Sequence, residues 1–458
     1  MTGNFNKKIR LRISISVILG FILFTHSFVF PCMAVEPTWT YLYKNGEIGD
    51  LIVSPDGSSV IAGAGKVLVF SKNGTLQATE PFGEVLAQTP DGSVIAAIYS
   101  TSVLVFGKTI DPTGNPILEK KWETSISEQL VSCSISDNGN RVAVGTFSGE
   151  VYIYEGTTGK LLGKSTESSS LIKISPSGTS IAGLSVNQGL KMYSGSNGKF
   201  YKQYDITLSE LPKEFFITPN DNTFVYNDAQ QVTAVSTSDG TQNWRTKATG
   251  DVNALVMTSI GDYIVAGTDS GSIDLYTITG NRSWTYQSKS GSGSGQGIEA
   301  VAVSSDASRI LAGSFDGKII LLDKSGNALW TWNATGNHIW NVAIASDGSL
   351  AAAASDTTIY AFSTGGQNTR PTGAVSKSAT PVQTSSLKAS ATSVPRTQGS
   401  AEPEKTALPE YTAISATPSV TQTEYSVIRT ATQSPFHTMT TLIALLGGAL
   451  VILRKKCD

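Results

Sequence analysis

Cysteine and histidine are both scarce in this chain of 458 residues, at three each. Cys32 lies near the amino terminus and Cys457 at the carboxyl end, so only Cys133 falls in the long central part. A disulfide within that central part is therefore excluded, and its fold must hold by packing and strand pairing. Of His26, His338 and His437, only His338 is central. One histidine cannot build a His-based metal cluster and leaves little for Ser-His-Asp chemistry. No loop carries the closely spaced oxygen ligands that calcium wants, so Asp137, Asp221 and Asp306 read as turn formers. The sequence points to no catalytic residue, metal ligand or cofactor.

Charge is low as well, at 15% of residues, with 34 Lys and Arg against 36 Asp and Glu. The balance is uneven along the chain. Both ends are basic, and residues 35–365 keep 21 basic against 31 acidic residues, a net charge of −10. An acidic body argues against nucleic-acid binding, which rests on phosphate neutralisation.

Long apolar runs occur only at the ends. Residues 1–34 read as a secretory signal: Lys7, Lys8, Arg10 and Arg12, then an apolar stretch from Ile13 to Phe30, then Cys32-Met33-Ala34 as the cleavage end. A retained amino-terminal anchor is the competing reading. Residues 366–435 are rich in Ser, Thr, Pro and Ala without apolar periodicity, which predicts a disordered stalk, either O-glycosylated or bare. Residues 436–453 form an apolar segment near the minimum length of a transmembrane helix. The basic tail 454–458 (Arg454-Lys455-Lys456) sets the carboxyl terminus inside and the body outside.

What fills the centre is a repeat. Its clearest copy, Gly297 to Asn333, reads as four short strands: Ala300–Val303, Arg309–Gly313, Lys318–Asp323 and Ala328–Trp332. The first of these, small and apolar, is expected to be buried on both faces. Runs of β-formers bounded by Gly, Asp, Asn and Ser are hairpin signals, and four antiparallel strands in about 40 residues make one propeller blade. A turn after the first strand marks each copy: Ser54-Pro55-Asp56-Gly57, Thr89-Pro90-Asp91-Gly92, Ser136-Asp137-Asn138-Gly139, Ser175-Pro176-Ser177-Gly178, Thr218-Pro219-Asn220-Asp221, Thr258-Ser259-Ile260-Gly261, Ser304-Ser305-Asp306-Ala307 and Ala345-Ser346-Asp347-Gly348. A second marker joins the last turn to the outer strand: Gly240 to Trp244, Gly280 to Trp284 and Gly326 to Trp330 share one spacing. Trp122 follows a longer turn, and Leu161-Leu162 and Phe200-Tyr201 stand in elsewhere; these side chains are expected to pack between blades. The eighth copy stops near Gly366 without an outer strand, while a spare strand, Trp39–Tyr43, precedes the first copy. The sequence thus predicts an all-β, eight-bladed propeller closed by its amino-terminal strand, with seven blades as the fallback because the fifth copy is weakest. Gly107 to Lys120 is expected to be a long turn, Asp205 to Pro212 a helical turn, and Ser288 to Gln296 a tether.

These copies resemble the WD40-like and quinoprotein (PQQ)-like β-propeller repeats over residues 37–364. The Ser-Pro-Asp-Gly turns are similar to WD40-type blades, although the Gly-His and Trp-Asp signatures of that family, and with them its internal hydrogen-bond tetrad, are missing. The Gly-to-Trp outer strands resemble PQQ-like repeats, including those of noncatalytic scaffolds. Ser434-Pro435-Phe436, the apolar run and the basic tail together resemble the carboxyl-terminal sorting signals of archaeal and bacterial surface proteins. Either a permanent span or processing to a lipid anchor is consistent with that.

Three acceptor sequons, at Asn73, Asn281 and Asn333, are candidate glycosylation sites expected to be exposed. His338 is expected at a rim or in the core, and Cys133 in the core. The functional expectation is a noncatalytic cell-surface propeller that binds a cell-envelope protein or glycan, held by a stalk and a carboxyl-terminal membrane helix. The alternative is an extracellular hydrolase or quinoprotein-like oxidoreductase with acidic groups on the axis. A structural, assembly-forming role is a third possibility.

Overall fold

The computed structural model describes residues 33–365 except 82, 166–168, 170, 186–188, 197–198, 289–295 and 335–336. The expected stalk, membrane segment and basic tail, most of the signal and most of the 288–296 tether lie outside the described residues. Among the described residues, no helix is long and apolar enough to cross a membrane.

Eight antiparallel sheets make eight blades. Blades 1 to 7 span residues 50–80, 85–125, 130–165, 171–207, 215–247, 252–287 and 298–333. Blade 8 takes three strands from 341–363 and its outer strand, Trp39–Leu42, from the amino terminus, with Trp39 opposite Ala361 and Leu42 opposite Thr358. The expected closure is therefore present, and the weak fifth copy is a complete blade, so the seven-bladed fallback falls away. Blade 7 has a fifth strand: Met33–Ala34 runs parallel to Trp330–Thr331. These two residues belong to the segment expected to be signal.

Within each blade the first strand is innermost, and first strands of successive blades contact one another around the axis, except that between blades 5 and 6 the second strand of blade 5 makes the contact. The second and third strands carry the core. In blade 7, Ile310, Leu311, Ala312, Ile319, Ile320, Leu321 and Leu322 are fully buried. The first strand of that blade is not buried on both faces as expected, since Ala300, Val301 and Val303 stay partly open. An innermost strand has blades on its flanks and the axis in front, so some of its surface faces no protein.

The repeated turn works as its residues suggest. Gly57 takes φ +64°, a conformation that costs an L-residue about 1–2 kcal/mol. In blade 7, Asp306 Oδ1 accepts from the Ser308 amide at 2.8 Å and the Ser304 hydroxyl at 3.1 Å. In blades 3 and 5 the acceptors are Asn138 and Asn220, not Asp137 and Asp221. Asp221 instead stands where most copies have glycine, at φ +58°.

The outer-strand aromatics join blades as expected, through one recurring clasp. Trp122, Trp244, Trp284 and Trp39 each donate their indole N–H to a carbonyl in the last turn of the next blade: to Gly156 at 2.7 Å, Ile278 at 2.8 Å, Lys324 at 2.9 Å and Lys72 at 2.9 Å. Each ring lies against a turn glycine of that blade; a Cβ on Gly280 would sit 2.5 Å from Trp244. In blade 4 the stand-in is not Phe200-Tyr201 but Tyr204, which donates to the Ser236 carbonyl at 2.9 Å and covers Gly240. The hairpin of blade 4 is longer, so its bulge at Met192/Tyr193 moves the clasp position down the strand. In blade 3 the matching position beside the bulge is Gly163, not Leu161-Leu162.

Two loop expectations are corrected. Gly107 to Lys120 is mostly strand: Ser102–Ile110 pairs with Pro116–Ser125, and Asp111 caps the tight turn through the Thr113 and Asn115 amides, both at 2.8 Å. Asp205 to Pro212 holds no helical turn, because the outer strand continues to Thr207. The loop beyond it is pinned by side chains, with Asp228 accepting from the Ser209 and Glu210 amides and Asn227 from those of Lys213 and Glu214.

Candidate interaction face

Alternating strand directions sort the connections between two faces. Turns after the first and third strands lie on one face, the turn face. Turns after the second strands, and the connections between blades, lie on the other, the crossover face. The two differ in how their polar and aromatic groups are used.

On the turn face most carboxylates are consumed by their own turns. Hydrogen bonds from Thr89 and Ser93 hold Asp91 below the usual carboxylate range, as those from Thr113 and Asn115 do for Asp111 and those from Thr241 and Ser236 for Asp239. At Asp56 and Asp306 partial burial opposes ionisation, but bonds from the flanking serines outweigh it and both carboxyls are held low. Lys108, 3.2 Å from Asp56, adds to this. Asp137 is the exception, pushed up by burial and by Asp221. A polar cavity of about 390 Å³ lies on this face between blades 3 and 4, lined by Asn138, Arg141, Glu155, Ser177 and Thr179 among others. Its Arg141 guanidinium is already bonded to the Asn140 carbonyl at 2.9 Å.

The crossover face is unlike this. Between its strands, the described residues include ten acidic side chains against three basic ones, Lys44, Lys66 and Lys213. Carboxylates crowd the axial mouth. Asp50, at the start of the first strand of blade 1, is half-buried, and desolvation raises its pKa to about 6. The Leu86 and Leu51 amides at 2.9 and 2.7 Å and Lys173 work against that rise, while Glu214 adds to it. Lys173 and Glu214 belong to blades 4 and 5, across the ring from blade 1, so these charges converge on the axis; they lie 3.8 Å apart. Burial and then Glu47 push Glu84 up. Burial also pushes Glu299 up, with Asp269 adding to this and Lys213, Asn253 and His338 opposing it. The Asn253 amide donates to Glu299 at 3.2 Å.

Exposed aromatics share this face. Phe147 and Phe315 follow the second strands of blades 3 and 7 and are 53% and 37% exposed, and Tyr99, 37% exposed, ends the second strand of blade 2. Aromatic side chains in water are enriched where proteins meet. Phe315 belongs to a small cluster: its ring lies 3.9 Å from that of His338 and 5.8 Å from that of Trp340, and its carbonyl meets His338 Nδ1. His338 is thus a rim residue, as expected.

Asn73 and Asn281 lie exposed in equivalent last turns on the turn face. Asn333 ends the outer strand of blade 7, exposed, opposite Lys318 and towards the crossover face. Cys133 is buried; burial, with Asp50 nearby, pushes its thiol up to about 12 and leaves it unreactive. Sequence reasoning missed the axial carboxylates, since Asp50, Glu214 and Glu299 sit in three different copies. It also missed Asp274, fully buried in the third strand of blade 6, which accepts from Thr249, Tyr276 and Thr285. Among the described residues no group of three or more His, Cys, Asp or Glu side chains is placed to hold a metal ion.

Eight blades in a ring closed by the amino-terminal strand are the architecture of an eight-bladed β-propeller. Residues 207–361, covering blades 5 to 8, match a PQQ-repeat family model described as outer membrane protein assembly factor BamB. Among solved structures the chain is similar to Sqt1 of Chaetomium thermophilum. For the free protein the TM-score is 0.60 at 13% identity, over 72% of this chain and 98% of that one. For Sqt1 bound to the N-terminus of the ribosomal protein L10 the TM-score is 0.57 at 14% identity, over 69% and 97%. At such identity the likeness is one of fold. No curated protein matches the chain in sequence.

Proposed function

We propose that the protein is a noncatalytic binding propeller of the cell surface whose crossover face receives a cell-envelope protein or glycan. The observation that carries this is the contrast between the faces. Exposed Phe147 and Phe315 and the axial carboxylates lie on the crossover face, whereas the turn face, although it exposes Ile110, Tyr201 and Ile260, spends most of its carboxylates on its own turns. The comparisons support a protein-binding role: the family description names an assembly factor, and one structural neighbour was crystallised with a peptide segment of another protein. The surface address rests on the sequence of the two ends. The stalk would hold the ring off the membrane, and the segment 436–453 would anchor it. Photo-crosslinking residues placed at Tyr99, Phe147 and Phe315 in cells should capture a partner, while one at Asn281 on the turn face should not. Capture from the turn face alone would sink the assignment. Intact mass of the mature protein decides the anchor: loss of everything after about Ser434 means processing, and retention of Arg454-Lys455-Lys456 means a permanent span.

A second reading, acid–base catalysis on the axis, draws on Asp50, whose pKa of about 6 suits proton transfer near neutrality. Substrate turnover by the purified protein that disappears in Asp50→Asn would establish it in place of the first.

A further inference from the structure

We infer that the partner of the crossover face is an extended, positively charged peptide segment interleaved with apolar side chains, which lays a Lys or Arg into the axial mouth. This rests on the binding role proposed above and names the chemistry of the partner. Three observations lead to it. The first is the charge of the face: its described connections carry ten acidic groups against three basic ones, and the excess stays acidic after strand lysines pair with Glu150, Asp316 and Glu214, so a basic segment is attracted and an anionic membrane or nucleic acid repelled. The second is the state of the axial carboxylates. Burial pushes the carboxyls of Asp50, Glu84 and Glu299 above their ordinary range, with Glu214, Glu47 and Asp269 adding like charge. Lys173 is shared with Glu214, and Lys213 and His338 act on Glu299 against its like-charged neighbour Asp269. An incoming ammonium or guanidinium relieves that crowding in a way that no neutral sugar does. The third is the placing of exposed apolar groups: Tyr99, Phe147 and Phe315 lie at the crossover ends of the second strands of three blades, one strand out from the axis. An extended chain advances about 3.3 Å per residue with side chains alternating between sides, so a segment can place cations at the centre and apolar groups on the surrounding rings.

The test is fluorescence anisotropy with the full-length protein and a labelled synthetic peptide alternating Lys with Leu and Tyr. The probes beside it are polylysine of equal length, the same peptide with Glu for Lys, and a neutral N-acetylglucosamine oligomer. The expected order is tightest binding of the Lys/Leu/Tyr peptide, weaker binding of polylysine, and none of the other two, with affinity falling as salt rises. The combined Asp50→Asn, Glu214→Gln, Glu299→Gln variant should lose about tenfold in affinity, as expected for one charge-assisted contact. Tyr99→Ser with Phe147→Ser should lose a similar factor, and Asp323→Asn with Asp347→Asn on the turn face should lose nothing. If the axial variant does not fold, the aromatic variant and the salt dependence decide alone. Absence of peptide binding, equal binding of polylysine, unchanged affinity in the face variants, or preference for the oligosaccharide overturns the inference. Photo-crosslinks from Phe147 to a partner without a basic segment would overturn it while leaving the binding role intact; absence of crosslinks from this face would remove both.

Discussion

The clasp between blades makes a prediction that separates two costs usually measured together. Gly280 has φ +83° and Gly114 has φ +88°, so alanine at either position meets the same backbone penalty, about 1 kcal/mol. Their surroundings differ completely. A Cβ at Gly114 meets nothing within 4 Å, whereas at Gly280 it comes within 2.5 Å of the Trp244 ring. That ring cannot yield without giving up the 2.8 Å bond from its indole to the Ile278 carbonyl. The bond contributes about 1 kcal/mol and the lost ring packing about as much again. Gly280→Ala should therefore cost about 3 kcal/mol and Gly114→Ala about 1 kcal/mol, a difference of about 2 kcal/mol set by the clasp alone. Urea unfolding followed by tryptophan fluorescence measures both, and unchanged m values would show that the same transition is compared. Trp244→Phe in the Gly280→Ala background should cost less than in the parent, because the clasp is already broken. Equal losses for the two glycines, or additivity of Trp244→Phe with Gly280→Ala, would refute the argument.

Asp221→Gly should stabilise the protein by about 1 kcal/mol, since it removes a left-handed L-residue and a buried Oδ1 with no hydrogen-bond partner among the described residues; a lower melting temperature would contradict this. Asp50→Asn should raise stability at pH 7.5 by about 1–2 kcal/mol and leave it unchanged near pH 4. The sign follows from the raised pKa: Asp50 titrates near 6 in the fold against an ordinary value of 3.8. Its ionisation penalises the fold in full above that range, and the penalty fades as pH falls through 6. Urea midpoints at the two pH values check it, and a gain of equal size at both would rule out titration as the cause. Asp274→Ala should cost about 3–5 kcal/mol, because it strands the donors of Thr249, Tyr276 and Thr285 inside blade 6; a loss under 1 kcal/mol in thermal unfolding would show that the network is dispensable.

The fold was largely legible because each of its rules is local. A turn such as Ser54-Pro55-Asp56-Gly57 carries its own reason, and eight such turns at blade spacing fix the count. Closure was legible for the same reason: Trp39–Leu42 had no partner nearby, and Thr358–Ser363 had no outer neighbour. The misses arose where register mattered. Tyr204 is invisible as the clasp of blade 4 until its bulge is located, because one inserted residue turns every later side chain to the other face. The turns of blades 3 and 5 show the same limit on a smaller scale. Asn138 and Asn220 do the bonding there, each one residue away from the aspartate, Asp137 or Asp221, that the pattern suggested.

The candidate site was hidden for a deeper reason. Asp50, Glu214 and Glu299 are separated by most of the chain, and none stands in a motif. What unites them is the ring, which brings the first strands of blades 1, 5 and 7 to one axis. Closure and site are thus linked: the strand Trp39–Leu42 that completes blade 8 also docks Trp39 on blade 1 and leads directly into the loop ahead of Asp50. A perturbation of this closing strand should reach the axial carboxylates before it reaches the cores of blades 3 to 6. The argument is checkable through Trp39→Ala, which removes the clasp between blades 8 and 1 and leaves every axial residue in place. If closure positions Asp50, its titration near pH 6 should shift down towards the ordinary value as the mouth opens to water. The charge-dependent binding of the basic probe peptide should weaken with it. A Trp39→Ala protein that is destabilised but keeps both properties would mean that the axial site is organised by the inner strands alone.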